Sequence, residues 1–213
     1  MTINKKIEKI TYNSRESRIN YLYKNYKEFL TGSILDIGCD NQYLKNILPS
    51  GQKYIGIDIS GSPDITLNLE KESIPFKEKS FDTVICLDVL EHLDNLHEVF
   101  EEIIKISSKN IIISLPNCWG SFKSSFYKTL SPKFYGLPDG KPNDRHKWFF
   151  NTDDIIIFFE KMAQKNNMKI NKLTFVAHGF SIKSKIISLL FKIISKKLYY
   201  NFFVNSVWVV FEK

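Results

Sequence analysis

Hydrophobic positions along this chain switch between a helical and an alternating period, and the switches mark out the elements. Ser14 to Leu30 places Ile19, Leu22, Tyr23, Tyr26, Phe29 and Leu30 on one stripe, predicting an amphipathic helix over 14–30. Ser33 to Ile37 is a short apolar run with one acid, Asp36, and Gly38 follows as a turn residue. Asn41 to Leu48 is apolar at Tyr43, Leu44, Ile47 and Leu48, which predicts a helix ended by Pro49-Ser-Gly51. Lys53 to Ile57 reads as a second strand with Asp58 at its C-terminal end, and Asp64 to Asn68 as a short third. Phe81 to Leu87 is a buried strand tipped by Asp88. Asn95 to Ile106 is a helix turning Leu96, Val99, Phe100, Ile103 and Ile104 inward. Asn110 to Leu115 is a central strand rich in β-branched residues. Residues 1 to 13 are polar and expected to be loosely held.

Residues 116 to 147 break this rhythm. Pro116, Pro132, Pro138, Pro142 and three glycines interrupt the stretch, and aromatics are frequent. An insertion of this length, leaving the C-terminal end of a central strand, is where a substrate lid belongs. Asn151 is placed to cap a helix over Thr152 to Lys165 with apolar positions Ile155, Ile156, Phe159 and Met162. Lys169 to Val176 and Val204 to Phe211 read as strands. Between them, Ser181 to Lys197 holds five lysines and no acid and predicts a basic helix with a broad apolar face. Contact with an anionic membrane surface explains this pattern, and so does a helix packed on the domain with its lysines in water.

Composition narrows the class. A chain of 213 residues with 43% hydrophobic and 25% charged residues is expected to form a single soluble domain, 1–213, with a full core. The net charge of +7 fits an anionic partner or simply a Lys-rich composition. Cys39, Cys86 and Cys118 show no disulfide or zinc spacing, so reduced thiols in a cytoplasmic protein are expected. The first residues lack a signal-peptide core, and no apolar run is long enough to span a bilayer.

The chemistry concentrates in residues 33 to 58. Strand, turn, helix, strand is a βαβ unit with an acid at the tip of the second strand, where ribose hydroxyls can be held. The three-glycine dinucleotide fingerprint is missing, since Gly38 alone is present. Asp40 would also set a negative charge beside a pyrophosphate, which argues against a nicotinamide oxidoreductase. S-adenosylmethionine has no phosphate and carries a sulfonium and an amino group, so an acid-bearing turn suits it. Asp36-Ile-Gly-Cys-Asp40 resembles the first motif of class I S-adenosylmethionine-dependent methyltransferases, and Tyr54-Ile-Gly-Ile-Asp58 their second. The stretch from Ile74-Pro-Phe through Phe81-Asp-Thr-Val-Ile-Cys-Leu-Asp-Val-Leu-Glu-His-Leu93, and Ile111-Ile-Ile-Ser-Leu-Pro-Asn117, are similar to the family's later core strands. The resemblance implies an α/β fold: a Rossmann-like, doubly wound, seven-stranded, mostly parallel sheet with an antiparallel C-terminal strand. The cofactor core spans 33–115, and the leading helix covers the pocket. The lid's Tyr135-Gly-Leu-Pro138 and Asp144-Arg-His-Lys-Trp-Phe-Phe150 look like methyltransferases of surface-polysaccharide biosynthesis.

The same resemblance places cofactor contacts at Asp36, Gly38, Cys39, Asp40, Asp58, Ile59, Leu69, Asp88 and Val89. Asp58 would accept the ribose hydroxyls, and Asp36 would orient the turn or meet the ammonium. The family has glycine where this chain has Asp40 and Gln42, so a slightly different turn is expected. Asp88, Glu91 and His92 resemble a metal set of some O-methyltransferases, with His146 in place to complete it. Such a set would hold Mg²⁺ or Zn²⁺. Glu91 and His92 also occur in metal-free members, bracing the helix that follows. His92 or His146 is then the general base for a hydroxyl. Arg145, Lys147 and Trp148 would bind an anionic or sugar-like substrate, or pack the core. The implied reaction is methyl transfer to an oxygen of a small molecule or glycan. RNA modification and a non-catalytic, partner-binding role are the alternatives, although no RNA-binding motif is present.

Overall fold

The computed structural model describes residues 6–10, 12, 14–120, 122, 134, 135, 140, 144–178, 188, 189 and 191–213. The strands are β1 (Lys6–Ile10), β2 (Ile34–Ile37), β3 (Tyr54–Asp58), β4 (Ile65–Thr66), β5 (Phe81–Leu87), β6 (Ser107–Pro116), β7 (Lys169–His178) and β8 (Ser206–Glu212). The helices are α1 (Arg15–Tyr26), α2 (Leu96–Ile106), α3 (Thr152–Lys165) and α4 (Lys196–Phe203). The strands form one sheet in the order β1-β7-β8-β6-β5-β2-β3-β4. All neighbours run parallel except β8, which is antiparallel to both β6 and β7. This is the Rossmann-like α/β fold expected, with the antiparallel C-terminal strand in place.

Strict alternation along the central strands builds two cores. Leu35, Ile37, Val84, Cys86, Ile111, Ile113, Val207, Val209 and Phe211 pack with α2 and α3 on one face. Ile34, Ile85, Leu87, Ile112, Trp208 and Val210 pack with Tyr21, Leu22 and Tyr26 of α1 on the other. Because side chains alternate with a period of two, a central parallel strand must be apolar on both faces where it is buried, as Val84–Leu87 of β5 and Ile111–Ile113 of β6 are. Capping is local and explicit. Ser14 and Ser17 form a capping box at α1, and the Asn151 side chain accepts from the backbone N–H groups of Asp153 and Asp154 at α3.

Four expectations need correction. The sheet has eight strands rather than seven, because residues 6–10 add β1 to its edge, with Lys6 opposite Thr174 and Ile10 opposite His178. Ile7 joins the α2 and α3 core and Ile10 the α1 core. Three residues apart on a strand means opposite faces, a spacing that reads as neither alternation nor a helical stripe. Residues 41–47 form successive turns instead of a helix. The left-handed conformations of Asp40 (φ 51°) and Gln42 (φ 54°) break the helical path at its start. The third strand shrinks to Ile65–Thr66. Over the basic segment, residues 181–187 and 190 lie outside the described residues. Ser195 is extended (φ −160°, ψ 122°) and splits the expected helix, so α4 starts afresh at Lys196 and runs on to Phe203. Most of the expected lid, residues 121, 123–133, 136–139 and 141–143, also lies outside the described residues.

Candidate functional site

The parallel strands β2, β3, β5 and β6 end on one edge of the sheet, and the loops leaving them carry the titratable groups. At the end of β2 the backbone turns through Gly38, whose φ of +79° suits glycine. A Cβ here would also meet Val89 Cγ2 at 2.2 Å, so glycine lets the loop after β5 close onto the loop after β2. Asp40 then donates its backbone N–H to Asp58 Oδ2 at 2.8 Å. Ser60 donates its own to Asp58 Oδ1 at 3.0 Å. Each Asp58 oxygen has thus gained one backbone donor and retains lone-pair capacity. The expectation of an altered turn is answered by the same geometry. Asp40 and Gln42 keep the left-handed backbone that glycine would adopt easily, at a cost in local strain.

Asp36 lies one strand over, fully buried, and accepts the Tyr54 hydroxyl at 2.7 Å. Burial pushes its carboxyl up to about 6, against the pull of the Tyr54 hydrogen bond and the Arg18 charge. Cys39 is buried, and Ile59 stands open to solvent beside Asp58. Leu69 packs into the core layer shared with α2, and its carbonyl accepts from Asn95 Nδ2 at 2.8 Å.

Two arginines of α1 close over these acids. Arg15 Nη1 pairs with Asp40 Oδ1 at 2.8 Å, and Arg18 Nη1 pairs with Asp88 Oδ2. Arg18 Nε is buried without a hydrogen-bond partner. Neither arginine was identified from the sequence. The signal was there: Arg18 lies on the stripe that continues through Leu22 and Tyr26, where a charged residue has no packing reason to be. Asp88 itself is left-handed (φ 53°), and its other oxygen accepts the Ser114 hydroxyl at 2.5 Å.

Beyond Asp88 the chain makes a 3-10 turn over Leu90–His92 and sets Glu91 inside the protein. Glu91 is fully buried and neither carboxyl oxygen has a hydrogen-bond partner. His92 Nε2 lies 3.6 Å and His146 Nε2 3.9 Å from Glu91 Oε1. Both separations exceed hydrogen-bond length. Burial, then the charge of Asp88, raises the Glu91 carboxyl well above the usual carboxylate range. Burial lowers both imidazoles, His146 to about 4 with His92 as a second cause. Both imidazoles are therefore uncharged at neutral pH, and burial works against the charged form of Glu91 beside them.

The outer nitrogens of the two rings differ. His92 Nδ1 lies 2.7 Å from Asp144 Oδ1 and 3.1 Å from the Arg145 carbonyl, so it carries the proton and leaves Nε2 as a lone pair. His146 Nδ1 meets the Tyr135 hydroxyl at 2.8 Å, and Phe134 stacks on its ring at 4.4 Å. Asp144 was also missed, because its partner lies 52 positions earlier in the chain. Lys147 pairs with Glu70 and Asp94, and Trp148 donates its indole N–H to the Leu93 carbonyl at 2.7 Å. These two are structural ties. Arg145 donates to the Tyr135 carbonyl at 3.0 Å.

Among the described residues, Glu91, His92 and His146 offer one ligand atom each within 4.8 Å of one another. A nitrogen-rich set of this kind fits Zn²⁺ better than Mg²⁺, and a cation would need the carboxylate form of Glu91 that burial disfavours. Asp88, expected in the same set, pairs through Oδ2 with Arg18 and accepts the Ser114 hydroxyl at Oδ1, and it lies outside this group of three.

Comparison with known proteins gives this arrangement its class. The family described as "Methyltransferase domain" matches residues 13–161, and the chain belongs to it. The class is that of S-adenosylmethionine-dependent methyltransferases, and S-adenosylmethionine is its cofactor. The chain is 30% identical over 115 residues to the ubiquinone biosynthesis O-methyltransferase of Rickettsia bellii, covering 45% of this chain and 48% of that protein. The chain thus spans about half the length of the curated relatives it matches. A SAM-dependent methyltransferase from Archaeoglobus fulgidus superposes with a TM-score of 0.61 at 19% identity, over 94% of this chain and 95% of that one. Magnesium protoporphyrin IX methyltransferase from Synechocystis, solved with bound SAH, gives 0.52 at 19% identity over 93% and 81%.

Proposed function

We propose that this domain transfers a methyl group from S-adenosylmethionine to an oxygen of a small molecule or glycan. The observation that carries the oxygen assignment is His92, a neutral imidazole with Nε2 unprotonated and Asp144 behind Nδ1. S-adenosylmethionine, when bound, supplies an electrophilic methyl on a sulfonium whose departure leaves a neutral thioether. The protein then has two tasks, alignment and proton removal. Asp58 accepts hydrogen bonds from hydroxyls at the end of β3. Asp36 offers a negative neighbour to an ammonium. Arg18, with Nε unpaired, offers a donor to a carboxylate. Gly38, Cys39, Asp40, Ile59, Leu69, Asp88 and Val89 complete the cofactor side of the reading.

His92 Nε2 takes the acceptor's hydroxyl proton, and Asp144 stabilises the imidazolium that results. His146 is the weaker base of the two. Its ring faces a neutral phenol instead of a carboxylate, and it is held down to about 4. We assign it to shaping the pocket. The relative's name directs the first acceptors to test toward intermediates of ubiquinone biosynthesis, with hydroxylated sugars beside them. The 116–147 insertion is the lid in this reading.

The assay is methyl transfer from radiolabelled S-adenosylmethionine to a panel of such hydroxylated acceptors, with wild type and His92→Gln, with and without a chelator. Turnover that survives chelation and falls in His92→Gln supports the reading. Turnover abolished by chelation, or unchanged in His92→Gln, contradicts it.

A further inference from the structure

Charge is unevenly spread along the chain. Between Glu160 and Glu212 lie nine lysines and no acidic residue, which leaves 21 basic and 23 acidic residues everywhere else. Apolar exposure concentrates in the same stretch. Leu189, Ile193, Ile194 and Leu198 are 60%, 74%, 73% and 42% exposed, half of the eight large exposed apolar side chains among the described residues. They fall within ten positions and interleave with the exposed Lys192 and Lys196, while Lys197 beside them pairs with Asp153 at 2.9 Å. Single exposed apolar residues are ordinary, but a cluster marks an interaction surface.

The segment is anchored from beneath. Phe191 packs against Phe202 and Phe203 with ring centroids at 5.0 and 5.6 Å. Tyr200 stacks at 4.9 Å on Phe175 of β7, and Tyr199 and Phe203 are buried. The Ser195 side chain caps α4. Asn117, at the exit of β6, donates from Nδ2 to the carbonyls of Asn201 (2.8 Å) and Val204 (2.7 Å). The exposed aliphatic groups therefore remain after the helix has already packed its other side. Leu198 sits on α4, the helix tied to the edge of the sheet that carries the candidate site, and Leu189, Ile193 and Ile194 lie just before it across Ser195. Half-exposed Trp119, its ring 6.3 Å from Phe202, extends the patch toward that edge.

We propose that this surface docks on an anionic lipid bilayer. Aliphatic side chains enter the interfacial layer while lysines reach anionic headgroups, and each contribution alone is too weak for stable binding. Lysine stems can lie along the apolar layer and keep their charge at the headgroups. The charge disfavours a second copy of this chain, since a two-fold contact would set lysines against lysines. Nucleic acid would use the lysines but leave Ile193 and Ile194 without a partner, because bases stack on aromatic rings. No described helix is long and apolar enough to cross a membrane, so the contact is peripheral. This inference is independent of the methyl-transfer reading.

The test is co-sedimentation of the 213-residue protein with phosphatidylcholine vesicles and with vesicles containing phosphatidylglycerol. The variants are Ile193→Glu/Ile194→Glu and Lys192→Glu/Lys196→Glu, with folding checked by circular dichroism. Wild type is expected to bind only the anionic vesicles. Each variant should bind at least about tenfold more weakly, and added salt should weaken wild-type binding through screening. Wild type remaining in the supernatant overturns the proposal. So does undiminished binding by the isoleucine variant, which would leave charge alone as the cause. A concentration-dependent dimer that Ile193→Glu/Ile194→Glu abolishes, or tighter binding to single-stranded RNA than to the vesicles, overturns it in favour of that partner.

Discussion

Two loops leave the same edge of the sheet and treat their carboxyl groups in opposite ways. After β3, Asp58 is half-buried and each oxygen accepts a backbone N–H. After β5, Glu91 is fully buried and neither oxygen accepts anything. The first is a prepared acceptor, held in place by the turn it braces. The second is a carboxyl whose burial works against its charge, beside two neutral rings. The difference shows how one end of a sheet can present one carboxylate with its oxygens already oriented and keep another away from solvent beside an uncharged imidazole. Backbone N–H donors fix the first; exclusion of water sets the second.

The sharpest way to break the second half of this comparison is His92→Gln. Loss of the proton acceptor should lower kcat by about 10²- to 10³-fold, with cofactor affinity unchanged, measured by turnover and calorimetry together.

Asp36→Asn probes the first loop from the inside. The Asp36 carboxyl is raised from 3.8 to about 6 in the fold, so the native state binds its proton more tightly than the unfolded chain. Its burial therefore costs little below about pH 4 and progressively more as the pH rises through 6. It reaches about 3 kcal/mol for a shift of about two units. The asparagine variant should be more stable than wild type at pH 8, by several degrees in Tm, by roughly half as much at pH 5, and nearly equal to it only below about pH 3.5. The same variant should bind S-adenosylmethionine more weakly. A variant no more stable at pH 8 would show that Asp36 is not held against its charge.

Asp144→Asn should reduce kcat by about tenfold. Because Asp144 raises the His92 pKa, its removal lowers that pKa further, and the acid limb of the rate profile should move to lower pH. An unmoved limb would detach Asp144 from the base.

Glu91→Gln is expected to change least. If Glu91 is already a neutral acid at pH 7.5, the isosteric amide should cost under about 1 kcal/mol of stability in a urea melt. A loss of about 3–5 kcal/mol would instead mean a buried ion pair with the histidines.

The elements easiest to foresee were those with a strong and uninterrupted period. Strand β5 was bounded correctly at both ends, α3 ran from Thr152 to Lys165, and Asn151 capped it, because local pattern and tertiary burial agree there. Strand β1 escaped notice since Ile7 and Ile10 serve opposite faces. The run after Gly38 looked helical because the spacing of Tyr43, Leu44, Ile47 and Leu48 is blind to backbone conformation at Asp40 and Gln42. The same limit applies to the site. Asp58, Asp36 and Gly38 announce themselves within a short motif. The contacts of Arg18 with Asp88 and Asp144 with His92 join residues 70 and 52 positions apart, and no local period encodes them. The Arg18–Asp88 pair engages one oxygen of the Asp88 that the family resemblance had placed in a metal set.

The measurement closest to the central claim is titration calorimetry of the purified protein with S-adenosylmethionine and S-adenosylhomocysteine, beside Asp58→Ala. The account predicts micromolar binding of both by wild type and loss of about 100-fold or more in the variant, with the fold retained by circular dichroism. A folded wild type that binds neither molecule, or an Asp58→Ala variant that binds them equally well, would contradict it.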